Sequence, residues 1–421
     1  MGTKILRPGK DLMLPGVELE LSMDSSTVAS QTRSELSSTL PSEQSCDSSR
    51  SVSSESSGAV PSATSSEPSY VMPTEVASEP SSEPPTEVAS ASASPTPPRK
   101  PLVVGSDCSG MGTECYALEA LGIEYVHAFC SEIWEPAIRC LRSKRQRAKR
   151  MYRDVTKREL DEEVPSVDLY VCGFPCQPNS ALNLKRGGED ARRDPMVCAL
   201  AYIEAKRPRY FVLENVVGLT TVCKGALWNA LVDRLDALEG YAWDYRVLDP
   251  CKHANSPQSR PRVYLCGARG TDRPIEWPDE VPLTTRCVDL LDKDAFAQPA
   301  APCYLKMLET WGIEPSQEGI VEFCAASRTY SPYKDPRPLQ PHEVKHVLRA
   351  DVAPCLIRHD PGPYANHLQR HLTADECLKL QGFDPALVRK PQVTPLQMRQ
   401  LCGNAMHCGV LARVLEKLLL L

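Results

Sequence analysis

The chain has 421 residues and a formal net charge of −6 at pH 7, but residues 1–98 hold 13 acidic against 5 basic side chains, and residues 99–421 carry a net +2. The acidity belongs to the N-terminal part, so the overall charge does not exclude a nucleic-acid partner for the rest. No apolar run approaches the roughly 20 residues that cross a bilayer, which excludes a helical membrane span.

Residues 1–98 contain no Phe, no Trp and a single Tyr, Tyr70, and Ser fills 26 of the 78 positions from 21 to 98. Such a segment buries too little apolar surface to offset its ordering entropy, so a disordered tail is expected. PTEVAS at 73–78 recurs at 85–90. No signal-peptide pattern opens the chain, and Leu6 stands where a myristoylation signal wants Ser or Thr. The 18 Cys include no CxxC pair, which leaves neither a zinc ribbon nor a thioredoxin-type site. A reducing, intracellular compartment is expected.

From Lys100 the texture changes. Apolar runs at 101–106, 124–132, 168–173 and 210–215 alternate with longer helical patterns. Continuous rather than alternating apolar runs indicate strands buried on both faces, and strand–helix–strand order indicates a parallel sheet covered by helices. Residues 275–366 are rich in Pro and read as a small irregular domain. Helical patterns return at 373–383 and 395–420. The expected organisation is a tail (1–98), a first catalytic part (99–274), a second domain (275–366) and a C-terminal segment completing the first (367–421).

Ligands of such sheets bind beyond the C-terminal strand ends. After the first run comes DCSGMGTE, where Gly110 and Gly112 allow a tight turn into a helix; alone, this signal is weak. After the second comes Glu132, placed to accept from ribose hydroxyls, and then Trp134, which alone reads as a half-buried core aromatic. After the third comes GFPCQPNS. Most cysteines are inert buried hydrophobes, but Cys176 sits in a loop stiffened by Pro175 and Pro178, where nucleophiles are presented. Glu214 ends an otherwise apolar strand, which is costly unless the acid is paired or functional. Gln258, Arg260 and Arg262 alternate, and period two places all three on one face of a strand.

In their linear order these signatures resemble the cytosine-5 methyltransferase family, over about residues 100–421. DCSGMGTE is similar to its first motif, SEIWEPA (131–137) to its second, and Asp154 of YRDV occupies its third. GFPCQ resembles its Pro-Cys nucleophile motif, FVLENV (211–216) its ENV motif and QSRPR (258–262) its Q-x-R-x-R motif. RHLTADECLKLQGF (370–383) and QLCGNAM (400–406) resemble the ninth and tenth. The match departs in the first motif, where Ser106 stands for the usual Asp and Cys108 for the usual Phe. The fifth motif is blurred around 190–195.

The resemblance implies a Rossmann-like α/β fold that uses S-adenosylmethionine and no metal, with 275–366 as target recognition domain. Cys176 would add to cytosine C6, Glu214 would hold N3 and the exocyclic amine, and Arg262, supported by Arg260, would bind O2. Asp107, Cys108, Gly110, Gly112, Glu132, Ile133, Trp134, Asp154, Val155 and Asn404 would form the cofactor site. Because a duplex hides C5, the base must be flipped out. Gln177, Asn179, Ser180, Lys185 and Arg186 lie on the loop that would close over it. DNA is the expected partner. The transfer-RNA branch shares the catalytic motifs, but its usual Cys-Phe-Thr is absent: Ala325 and Ala326 follow Cys324. A catalytically weak regulatory paralogue is the third reading. The run KRQRAKR (144–150) reads as a solvated helix face, a phosphate contact or a nuclear import signal. With no reader module legible, targeting falls to the tail or to a partner, and the Ser-rich tail suggests a eukaryotic, nuclear setting.

Overall fold

The computed structural model describes residues 100–144, 147–175, 194–331, 334–358, 362–388 and 392–420. The tail expected at 1–98 lies outside them, as do Cys176, Gln177, Asn179, Ser180, Lys185 and Arg186. Among the described residues no helix is long and apolar enough to cross a membrane.

The four apolar runs form β1 (Leu102–Asp107), β2 (Tyr125–Ser131), β4 (Leu169–Cys172) and β5 (Tyr210–Val216), with a short β3 (Arg150–Tyr152) after β2. These five are parallel neighbours in the order β3-β2-β1-β4-β5. The order reverses beside β1, since the chain builds outward through β2 and β3 before returning as β4 on the other flank. A crevice opens at such a reversal. The sheet ends in two strands that the parallel pattern does not foresee: β7 (Arg262–Arg269) runs antiparallel to β5, and β6 (Tyr241–Leu248) antiparallel to β7.

Period-two alternation sorts the strand residues to two cores. Val104, Leu169, Val171, Tyr210 and Val212 face one side, where helix α1 (Thr113–Ala120) packs against the C-terminal helix Cys408–Leu418. Tyr170, Cys172, Phe211 and Leu213 face the other, under α3 (Pro195–Lys206) and α4 (Ala226–Asp236). Each such side chain withdrawn from water contributes roughly 1.5–3 kcal/mol, which is why the runs read as continuously apolar. Helix α2 (Glu135–Ser143) follows β2 and has Pro136 in its first turn. The start of α3 is set by Asp194, whose carboxylate accepts from the Met196 N–H at 2.9 Å, with Pro195 next.

The helical pattern at 395–420 divides into Pro395–Asn404 and Cys408–Leu418. The Ala405 carbonyl is taken by Gln381 Nε2 and Arg260 Nη2, both at 2.8 Å, and His407 Nδ1 accepts from the Val410 N–H to cap the second helix. The Pro-rich stretch is more regular than its composition suggests. Helices Pro302–Trp311, Phe323–Thr329 and Pro341–Val347 surround a sheet of β8 (Ile320–Val321), β9 (Tyr364–Ala365) and β10 (Arg370–His371), over a core of Met307, Trp311, Phe323 and Tyr364. Strand β10 lies beyond residue 366. Arg370 on it is held by Glu376 in a buried pair at 2.8 and 2.9 Å, and Glu376 also closes a capping box with Thr373.

Candidate active site

The mouth of the sheet gathers two clusters. At the end of β1 the chain turns through Cys108, Gly110 and Gly112, with φ of 51°, 54° and 76°. Three left-handed residues in five demand glycine wherever the backbone can afford no Cβ strain, and Cys108 is the non-glycine exception. A Cβ at Gly110 would meet nothing within 4 Å, so the turn faces open space there. At Gly112 it would strike Lys144 Cε at 2.6 Å. Lys144, the first residue of the basic run, is buried with its ammonium 3.3 Å from the Tyr116 ring centroid, whereas Arg147, Lys149 and Arg150 are exposed.

The Asp107 carboxylate is spent within the protein, where the sequence reading placed the residue in the cofactor site. Its carboxylate receives Arg158 Nη1 and Nη2 at 2.7 and 2.6 Å, Tyr170 OH at 2.7 Å and the Ser131 hydroxyl. With four donors on two oxygens and 1% exposure, nothing remains for a ligand. Burial works against the Arg158 charge, but Asp107 more than restores it and holds the guanidinium above its ordinary pKa. Phe129, Tyr152 and Tyr202 ring the same guanidinium at 5.1, 5.2 and 5.5 Å. At the neighbouring position Ser106 Oγ donates to Glu114 Oε1 at 2.7 Å, so α1 supplies a carboxylate beside the residue that lacks one.

Glu132 also differs from the expectation of a side chain free for ribose. Its Oε2 accepts from the Gly110 N–H at 2.8 Å and its Oε1 from the Ile133 and Trp134 N–H groups, each at 2.9 Å. The carboxylate thus clips the β1 turn to the start of α2 and keeps one acceptor direction for a ligand. Ile133 is 72% exposed. Trp134 is half-buried, and the exposed Arg358 lies over it, guanidinium carbon 4.5 Å from the ring centroid. Asp154 is partly committed as a cap, Oδ1 accepting from Thr156 N and Oγ1 at 3.0 and 2.7 Å. Val155 is buried, and Asn404 is exposed at the end of its helix.

The second cluster lies at the end of β5. Glu214 Oε1 stands 3.5 Å from Arg262 Nε, in a contact that leaves both side chains slightly open, at 11% and 14% exposure. Antiparallel pairing of Val216 with Arg262 sets this geometry. Burial pushes the Glu214 carboxyl above its ordinary pKa, against the opposing pull of Arg262 and then Arg260. The stem of the Cys176 loop docks on the same strand. Asn215 Nδ2 donates to the Phe174 carbonyl at 2.8 Å, and a Cβ at Gly173 would sit 3.6 Å from Glu214 Oε2.

Two members of the alternating triplet are structural. Strand β7 begins only at Arg262. Gln258 reaches the Leu380 carbonyl at 2.7 Å and Gln381 at 3.2 Å. Arg260, expected among the catalytic group, is 2% exposed and donates to the carbonyls of Leu356, Gly403 and Ala405 at 2.7, 3.0 and 2.8 Å. It fastens three distant segments together, and its hydrogen-bonding capacity is spent on them. Arg158, Cys355 and Arg358 carry no signal in the sequence because each acts on a partner far along the chain, and no local spacing marks them.

Residues 106–419 match the family model described as C-5 cytosine-specific DNA methylase. The type II methyltransferase M.Bsp6I of Bacillus sp. is 26% identical over 274 residues, spanning 61% of this chain and 80% of that protein. M.HaeII of Haemophilus aegyptius, also a type II methyltransferase, is 27% identical over 258 residues, 60% of this chain and 74% of the relative. The crystal structure of the S. pombe Dnmt2 methyltransferase shares the fold with a TM-score of 0.51 and 19% identity, covering 76% of this chain and 98% of that one.

Proposed function

We propose that this chain, which belongs to the C-5 cytosine-specific DNA methylase family, transfers a methyl group to carbon 5 of a cytosine flipped out of DNA. The observation that carries the reading is the Glu214–Arg262 pair at the sheet mouth. It is buried, yet keeps unused hydrogen-bonding capacity, and Asn215 fastens the stem of the Cys176 loop beside it. The family description, C-5 cytosine-specific DNA methylase, supports DNA as substrate.

Cytosine C5 is a poor nucleophile, and addition of a thiolate at C6 makes it enamine-like. Cys176 adds its sulfur to C6. Glu214, whose raised pKa favours the protonated form, gives a hydrogen bond and then a proton to N3 as negative charge develops. Arg262 holds O2. S-adenosylmethionine, when bound, supplies the electrophilic methyl that C5 takes up. Loss of the C5 proton to solvent, departure of the Cys176 thiolate and return of the N3 proton to Glu214 then restore the ring.

The chain fits that donor. The Gly110 turn leaves open space where a Cβ would project, next to the remaining acceptor of Glu132, which also holds the Trp134 N–H, and Asn404 is exposed at the end of its helix. Those residues would hold it, the Gly110 turn against its backbone and Trp134 against its adenine. A nuclear location, with the DNA, belongs to the same reading.

The test is transfer of a labelled methyl group to unmethylated duplex DNA, hemimethylated duplex DNA and total transfer RNA, comparing wild type with Cys176→Ala. Label in DNA that the variant abolishes is expected, with cofactor affinity kept within a few-fold. Label in transfer RNA alone would assign the protein to that branch. Silence on all three with no cofactor binding would overturn the enzymatic reading in favour of a regulatory paralogue.

A further inference from the structure

Cys355, on the segment that returns from the three-stranded domain, places its sulfur between the two arginines of the Q-x-R-x-R motif. Arg260 Nη1 donates to Sγ at 3.2 Å and Arg262 Nη2 at 3.6 Å, while the S–H points to the Leu356 carbonyl at 3.5 Å. A thiol has one donor and weak acceptor capacity, and here both are engaged. The two guanidiniums are not equivalent. Arg260 has three carbonyl acceptors besides Cys355. Among the described residues, Arg262 has besides the sulfur its neighbour's carbonyl, Pro261 O at 2.8 Å, and the long contact to Glu214. Among the described residues the sulfur is therefore the one acceptor for Arg262 that comes from outside β5 and β7 and their connections.

We infer that Cys355 is a positioning residue, whose sulfur holds the Arg262 guanidinium against Glu214 from a point that Arg260 keeps rigid. Arg260 ties the 355–356 backbone to the end of the helix Pro395–Asn404, so the thiol is anchored independently of the pair it orients. The inference deepens the proposed function and rests on Glu214 and Arg262 as the pair that binds cytosine. Without the sulfur, Arg262 keeps its charge but loses its orientation, and its attraction on the Glu214 carboxylate weakens. Arg262, Arg260 and Tyr264 are the charged or titratable groups that face Glu214 among the described residues.

The experiment follows Glu214 itself. Full-length protein carrying carboxyl-labelled glutamate is titrated by carbon-13 NMR, with the Glu214 signal assigned by its loss in Glu214→Gln. In Cys355→Ala the midpoint of Glu214 moves up by about half a pH unit or more. Cys355→Ser separates anchoring from orientation. The shorter C–O bond draws the acceptor back from Arg262, whose contact with the sulfur is already 3.6 Å, while Arg260 keeps its three carbonyl acceptors and the segment stays anchored. Serine therefore keeps the fold and still moves the midpoint upward. An unmoved midpoint in either folded variant overturns the inference, since a merely structural thiol would change stability and leave Glu214 where it was. Methyl transfer to duplex DNA is measured alongside, and kcat falls about tenfold in Cys355→Ser with cofactor affinity unchanged. If wild type transfers no methyl group, the functional reading fails, and the Glu214 titration still decides the role of Cys355.

Discussion

Two acid–arginine pairs stand at the C-terminal edge of the same sheet, and they differ in what they leave unused. Asp107 and Arg158 meet in a bidentate contact at 2.7 and 2.6 Å, with side-chain exposures of 0% and 3%; Ser131 and Tyr170 take the remaining acceptor sites. Glu214 and Arg262 share one contact at 3.5 Å. The first pair is a closed joint between β1, β2, β4 and the segment after β3. The second is buried enough to perturb the acid and open enough to receive another polar group. Spare hydrogen-bonding capacity, more than burial or charge, separates a site from a joint.

The largest effect is expected where the closed pair is broken. Asp107→Ala leaves Arg158 charged and unpaired among three aromatic rings, and should cost about 3–5 kcal/mol in a denaturant titration. At the open pair the effects divide differently. Glu214→Gln should lower methyl transfer by about 10²–10⁴-fold, the range for a lost acid–base group, measured as kcat on duplex DNA. Its stability should move little. A pKa raised by burial gives stability that is full below the unfolded value and lost as pH rises through the folded value, so the ionised carboxylate is a burden that glutamine does not carry. Glu214→Gln should therefore match or exceed the wild-type denaturation midpoint at pH 7. A large loss there would make the open pair a second structural joint.

A buried group without a partner charge sharpens the contrast. His407 is held down to about pKa 3, first by burial and then by Arg260, while its Nε2 meets Ser256 Oγ at 3.0 Å. Folding keeps it neutral, so the stability it supports is present above its unfolded value near 6.5 and is lost as pH falls toward 3. Unfolding at pH 5 should take up about one proton more in wild type than in His407→Gln, read from the pH dependence of the denaturation free energy. The smallest effect belongs to the exposed stack. Arg358→Ala should change cofactor affinity by no more than about fivefold, the worth of a solvent-exposed cation–π contact, and should alter Trp134 fluorescence.

How far the sequence reaches can be seen residue by residue. The apolar runs gave β1, β2, β4 and β5 to within a residue or two at their edges, because strands buried on both faces leave no polar alternation to confuse them. Glycines at 110 and 112 marked a turn whose φ angles require them. Glu214 stood out because an acid at the end of an apolar strand is costly without a reason. The sequence is silent where the answer depends on a partner far along the chain. Asp107 looked like a ligand residue in a ligand loop, and Arg158, 51 residues away, makes it a joint. Period two puts Arg260 and Arg262 on one face, yet one is consumed by carbonyls at 356, 403 and 405 while the other stands beside Glu214.

By itself, then, the sequence determined the parallel α/β framework, the family and the strand ends where its polar residues collect, since hydrophobic periodicity and local turn chemistry act over a few residues at a time. Only the tertiary structure decided which of those polar residues are spent on the protein and which remain for a substrate. Hydrogen-bonding capacity is finite, and its allocation depends on groups that meet only when the chain is folded.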